Sequence, residues 1–146
     1  MANFTAEGID RYLLDFEEIA SLPGDVLEDM VEAGGEVIRK GQATTASSML
    51  QGEYYKGDVA AGAKLGKAKR SADGASIYVT FAGTAHGNRV AEIAFINEFG
   101  KEGQPARPFV NTANELYADE ANDAERKVLA EHYQNHHFYR RDSKMA

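Results

Sequence analysis

Three prolines, Pro23, Pro105 and Pro108, constrain this chain more than any other feature. Proline fixes φ and lacks an N–H, so it suits the first turn of a helix and breaks a helix interior. Leu22-Pro23-Gly24 therefore interrupts one amphipathic segment and starts another near Pro23. Pro105-Ala106-Arg107-Pro108-Phe109 marks a second start. A residue before proline is pushed towards extended conformations, which makes Arg107 a boundary and Pro108 the opening of the last helix.

The segments around these prolines carry a helical period. Ile9, Leu13, Phe16 and Ala20 share one face of a short helix over 8–20. Leu27, Met30, Val31, Gly34, Val37, Ile38 and Gly41 form the stripe of the helix after Pro23. Asp25, Glu28, Asp29 and Glu32 lie in its first turns and Arg39 and Lys40 further along, as the helix dipole favours. Gly34, Gly35 and Gly41 each cost a helix about 1 kcal/mol relative to alanine. They point to close approach of another backbone, in this chain or in a neighbouring subunit. The last helix is expected from 108 to the mid-130s. Its stripe is Phe109, Val110, Ala113, Leu116, Tyr117, Ala121, Ala124, Val128 and Leu129. The polar remainder, 136–146, is expected to be a loose tail.

Between the helices lies a different composition. Residues 52–75 are punctuated by Gly52, Gly57, Gly62, Gly66 and Gly74, with Lys56, Lys64, Lys67, Lys69 and Arg70 among them. They read as a basic loop leading into a poor edge strand near Ala63–Ser71. This loop is either an arm reaching DNA or an acidic neighbour, or a solvated hairpin. Asp73-Gly74 is a hairpin turn signal, and Ile77, Val79 and Phe81 alternate with Ser76, Tyr78 and Thr80 as in a half-buried strand. Residues 89–96 are expected to be a strand running into one helical turn before Gly100, which makes 76–100 the strand region.

These elements predict one α+β domain over 1–146. A small, mainly antiparallel sheet packs against a long N-terminal helix, within 8–50, and a long C-terminal helix, 108–135. Cysteine is absent, which excludes disulfides and thiolate metal sites. No apolar run reaches membrane-spanning length and Met1-Ala-Asn-Phe-Thr is too polar for a leader, so a soluble, cytoplasmic protein is expected. The net charge of −7 argues against a general nucleic-acid binder. That charge is uneven: −7 over residues 1–40, +3 over 41–90 and −3 over 91–146.

No catalytic constellation emerges. His132 and His136 have i,i+4 spacing, but no third metal ligand accompanies them. His86 lies near Thr84 in a glycine-rich turn without an orienting acid, and Ser47 and Ser48 have no nearby His. Gly83-Thr-Ala-His-Gly87 and Gly62-Ala-Lys-Leu-Gly66 do not match a phosphate loop. Glu92 and Glu98 are not marked as acid and base, and Glu98 is expected to pair with Arg107. No cofactor, metal or catalytic residue is expected.

One stretch carries a resemblance. Ala94-Phe95-Ile96-Asn97-Glu98-Phe99-Gly100, then Pro105-Ala106-Arg107-Pro108-Phe109, then a helix, is similar to tailed-phage neck proteins of the gene-product-ten, or tail-component, family. The close match covers some 20–27 residues, with a similar order of elements elsewhere. Where the family carries a Thr-Gly-x-Leu-x-x-Ser type element, this chain has the lysine-rich stretch from Ala61 to Ser71. In the matching corner, Phe99 and Phe109 are expected to anchor both ends in the core. Gly100 permits a sharp or left-handed turn, Pro105 and Pro108 stiffen the path, and Arg107 can hold a carboxylate.

The resemblance implies a structural virion protein without a reaction. It implies a homo-oligomeric ring that joins the DNA-filled head, through head-closure or adaptor proteins, to the tail terminator or tail tube. DNA would pass through the lumen without sequence-specific contacts, and assembly would take place in the host bacterial cytoplasm without a membrane. Two readings compete: a tail terminator, and a small DNA-binding accessory protein using the basic loop. Ring contacts join two different faces of each subunit. The candidate faces are acidic, with Asp25, Glu28, Asp29 and Glu32, and basic, with Lys64, Lys67, Lys69 and Arg70.

Overall fold

The alternation between Ala75 and Phe81 organises the fold. The computed structural model describes residues 3–5, 24–50, 57–72 and 74–145, with side chains described within 25–50, 57–72 and 74–132. The expected helix over 8–20 lies outside the described residues. Strand β4 (Gly74–Phe81) buries Ala75, Ile77, Val79 and Phe81 and turns Tyr78 and Thr80 outwards. Strand β1 (Asn3–Thr5) pairs antiparallel along one edge, with Phe4 opposite Ile77.

The other edge of β4 takes β2 (Ala63–Leu65) and β3 (Lys69–Ser71), both antiparallel. Leu65 faces Val79, the Gly66 N–H donates to the Tyr78 carbonyl at 2.8 Å, and Lys69 faces Ser76. The chain thus spends one more residue between Leu65 and Lys69 than β4 spends between Val79 and Ser76. That extra residue is the signature of a β-bulge, and β2 and β3 are one interrupted strand. Ser71 then faces Gly74 across a two-residue connection. The edge strand expected near Ala63–Ser71 is therefore present, with a bulge; of the loop expected over 52–75, residues 52–56 and 73 lie outside the described residues. Asp58–Gly62, expected within the loop, is instead a short helix, and Lys64, Lys69 and Arg70 lie on the bulged edge strand that follows. Glycine and lysine blur the alternating pattern that would set its register, and edge strands tolerate both because one side is unpaired.

The long helix after Pro23, α1 (Gly24–Met49), lies under the sheet, and the short helix α2 (Asp58–Gly62) follows it. Val26, Leu27, Met30 and Val31 pack with Ala75, Ile77 and Leu129 at one end. Ile38 packs with Val79 and Ala121 in the middle. Ala46 and Leu50 join Val59, Phe81, Val90 and Phe109 at the other end. Two helix glycines make this possible. A Cβ on Gly35 would lie 2.7 Å from Ile77 Cγ2 and 2.9 Å from Leu65 Cδ1, and one on Gly41 would overlap the Tyr117 ring. Their close approach is therefore within the chain, to the sheet and to the last helix respectively.

The last helix, α4 (Phe109–Met145), pairs lengthwise with α1. The result is an α+β fold, with a small antiparallel sheet against two long helices. α4 continues past the expected stop in the mid-130s, and no proline or glycine in 136–145 interrupts it. Its buried line is Phe109, Ala113, Ala121, Glu125 and Leu129. Leu116, expected on this stripe, is 69% exposed, because it lies one residue, about 100°, off that line.

Glu125 was the residue the stripe left out. It is fully buried, and neither carboxyl oxygen has a hydrogen-bond partner among the described residues. Burial pushes its carboxyl from the ordinary 4.5 up to about 8. At neutral pH the folded state therefore holds this proton while the unfolded chain releases it. The contribution of this one group to stability is fully present below pH 4.5 and is lost as pH rises to about 8, by roughly 1.4 kcal/mol per pH unit crossed. Glu125→Leu should remove that component. Urea unfolding at pH 8.5 is expected to show a gain on the order of 2–3 kcal/mol. Replacement that lowers stability equally at pH 5 and pH 8.5 would contradict the buried neutral carboxyl.

Candidate functional site: the corner between two helices and the surfaces beside it

The sequence between Phe81 and Gly100 folds differently from expectation. Strands β5 (Thr84–Ala85) and β6 (Asn88–Arg89) form a small hairpin around His86 and Gly87, which have φ of 55° and 80°. Positive φ at both central residues is the geometry of a type I′ turn, whose twist matches that of the strands. Residues 89–96, expected as a strand running into one helical turn before Gly100, instead enter a helix at once, α3 (Val90–Phe99). Its buried residues, Val90, Ala94 and Asn97, follow the i, i+4, i+7 period. The run was too rich in apolar residues for the period to be read before packing selected one face.

A corner joins α3 to α4, and most of its bonds are to backbone. Gly100 has φ of 78°, and a Cβ there would lie 2.9 Å from both the Ala106 nitrogen and the Gln104 oxygen. Lys101 and Gln104 exchange backbone hydrogen bonds of 3.0 and 2.9 Å around Glu102-Gly103. The Arg107 N–H donates to the Asn97 carbonyl at 2.6 Å. The Asn97 side chain is buried, donating to the Ile93 carbonyl at 2.8 Å and accepting from Gln104 Nε2 at 3.5 Å. Phe109 is fully buried and meets Phe81 edge-on, ring centroids 5.6 Å apart. Pro105 and Pro108 are exposed and stiffen the connection, and the Pro108 carbonyl accepts the first helical bond, from the Thr112 N–H at 3.0 Å.

Glu98 has a role that residue spacing did not show. Its Oε2 accepts from the Val110 N–H at 2.7 Å and its Oε1 from the Asn111 N–H at 3.0 Å. The first N–H groups of a helix have no intrahelical partner and sit at the positive end of its dipole. A carboxylate from the last turn of α3 thus caps α4, where a pair with Arg107 was expected. Pairing by charge is visible in a sequence, but backbone donors are not.

Phe99 overturns a second expectation. It is 63% exposed, and Phe95 is 64% exposed, so Phe99 does not anchor the corner in the core. The two residues lie at i,i+4 on the outer side of α3, with ring centroids 4.8 Å apart. They border a groove of about 830 Å³ between α3 and the start of α4. Phe81, Ile96, Pro108 and Val110 supply its apolar wall, and Arg89, Glu92, Glu98, Asn111 and Asn114 its polar groups. Arg89 and Glu92 are joined by a 2.8 Å ion pair. Exposed apolar surface of this kind is a mark of binding rather than of stability.

The expected charged faces are separate from this groove. Lys64, Lys67, Lys69 and Arg70 are exposed on or beside the bulged strand. Asp25, Asp29 and Glu32 are exposed on α1, with Glu28 half-buried. None of these eight takes part in a salt bridge among the described residues. His86 lies 3.5 Å from Asp58, both substantially exposed. The described residues contain no cluster of three metal-ligating side chains and no helix long and apolar enough to cross a membrane. The His136 side chain lies outside them.

No family model matches the chain, and no curated protein and no solved structure matches it significantly. The corner itself gives a direct check. Glu98→Ala removes acceptors from two helix N–H groups and should cost about 1–2 kcal/mol in chemical unfolding. Glu98→Gln, which keeps one acceptor oxygen, should lose less. Equal stability of all three proteins would refute the capping role.

Proposed function

We propose that this chain is a structural subunit of a tailed-phage neck, forming a ring that joins head to tail. The observation that carries the reading is the corner. The residues of the motif resembling neck proteins, from Asn97 to Phe109, form a backbone-bonded joint between two helices. A rigid joint holds the relative orientation of two helices, as a repeating subunit requires. The apolar groove beside the joint adds support, since Phe95 and Phe99 offer surface that a protein contact would cover. In this reading the ring meets a head-closure or adaptor protein on one side and a tail-terminator or tail-tube protein on the other. Its place is in the virion, after assembly in the host cytoplasm, with DNA passing through the lumen.

Removal of the gene from a producing phage is expected to leave full heads beside separate, complete tails in electron micrographs. Normal virions would refute the reading. In complementation, Phe95→Ser/Phe99→Ser should fail to restore joining while its unfolding free energy stays within roughly 0.5 kcal/mol of the parent, because both rings are exposed. Full restoration by that variant would remove the groove from the account and leave the knockout to decide the function.

A further inference from the structure

The described helices cover one face of the sheet, and the outer face has a composition of its own. Residues directly opposite in an antiparallel pair point to the same side. Lys64 is opposite Thr80, and Lys69 is opposite Ser76. Tyr78 lies between Thr80 and Ser76 on β4 and therefore on the same side. Its neighbour on the bulged strand is Gly66, which has no side chain to cover the ring. Tyr78 is 44% exposed. Between β4 and the bulged strand the outer face is thus a strip with a lysine at each end and Thr80, Tyr78 and Ser76 between, and β1 runs along its other edge opposite Tyr78 and Ser76. Four residues of β4 separate the two lysine registers, about 13 Å.

The same chain carries a complementary surface. Asp25, Glu28, Asp29 and Glu32 follow i, i+3, i+4 and i+7, one face of α1. They span about 10 Å along the helix. The next carboxylate, Glu36, is taken by Arg39, whose Nε donates to it at 2.8 Å, whereas these four have no ion pair among the described residues. α1 lies on the covered side of the sheet, so the acidic stripe and the basic strip belong to opposite layers of the subunit. Length, charge and hydrogen-bonding capacity match: carboxylates accept from lysine, tyrosine, serine and threonine.

We infer that the outer sheet face, centred on Tyr78 between Lys64 and Lys69, receives the acidic first turns of α1 from a second copy of this chain. The contact joins two different faces, so it propagates from subunit to subunit and can close into a ring. It rests on the reading of the chain as a ring subunit. The net charge of −7 favours this occupant over a nucleic acid, which the whole molecule repels.

Two charge-reversed full-length chains test it: Lys64→Glu/Lys69→Glu and Asp25→Lys/Asp29→Lys. The substituted residues are exposed, and circular dichroism checks that each variant is folded. By sedimentation, each variant alone should self-associate roughly tenfold more weakly than the parent. An equimolar mixture should regain association, because each variant then finds an opposite charge on the other. Parental association by each variant alone, or no recovery in the mixture, overturns the contact while leaving the ring reading intact. A parent chain that stays monomeric at every concentration also overturns it, and the knockout then decides the joining role separately. Salt-dependent binding of a duplex DNA that Lys64→Glu/Lys69→Glu abolishes, with self-association unchanged, overturns it in favour of a DNA contact.

Discussion

Helix α1 can serve two partners because it lacks a Cβ at two positions. Gly35 lets Ile77 and Leu65 of the sheet sit against its backbone, and Gly41 admits the Tyr117 ring of α4. Each glycine weakens the isolated helix by about 1 kcal/mol. The compensation is tertiary: closer approach lets Ile38 reach Val79 and Ala121 in one cluster. Because the described helices gather on one side of β4, none of them covers its other side. The outward Tyr78 and the basic strip around it are a consequence of that one-sided packing, as much as the core is.

The corner between α3 and α4 works by a different principle. It buries one aromatic ring, Phe109, and otherwise relies on satisfied backbone groups. Glu98 supplies a charge at the N-terminus of α4, and buried Asn97 ties the end of α3 to the returning chain. Hydrogen bonds to fixed donors define angles as well as distances, so this joint sets orientation while contributing modestly to stability. Phe95 and Phe99 consequently need not take part in holding the corner. Their exposure is a surplus of apolar surface at a site already closed without them.

Much of the architecture was legible in the sequence, and the failures have separate physical causes. Proline chemistry placed the starts of α1 and α4 to within a residue, and alternation located β4. The left-handed φ at Gly100 was visible because only glycine adopts it without strain. Residues 89–96 were read as a strand because an apolar run fits two periods until packing selects a face. The edge strand near Ala63–Ser71 was expected, but its bulge and the helix over Asp58–Gly62 were not, because glycines and lysines at an unpaired edge carry no alternating pattern to set the register. Glu125 was missed because hydropathy treats every carboxylate as charged, whereas burial keeps this one neutral at pH 7. At the corner, Phe99 was expected in the core although it is exposed, and the backbone donors that Glu98 meets carry no signal in the sequence.

The two candidate surfaces differ in what they can contribute to an assembly. Exposed lysines and carboxylates attract at a distance and select orientation, but solvent and salt reduce their net energy. An apolar groove has no such reach, yet burying rings such as Phe95 and Phe99 supplies the energy that holds a contact once formed. A subunit with only the charged strips would associate weakly, and one with only the groove would associate without a defined direction. This chain has both, on different parts of its surface and attached to elements that the corner and the α1 glycines hold in fixed relation. That separation suits a subunit whose contacts to its own kind are set by charge and whose contacts to other components are set by apolar burial.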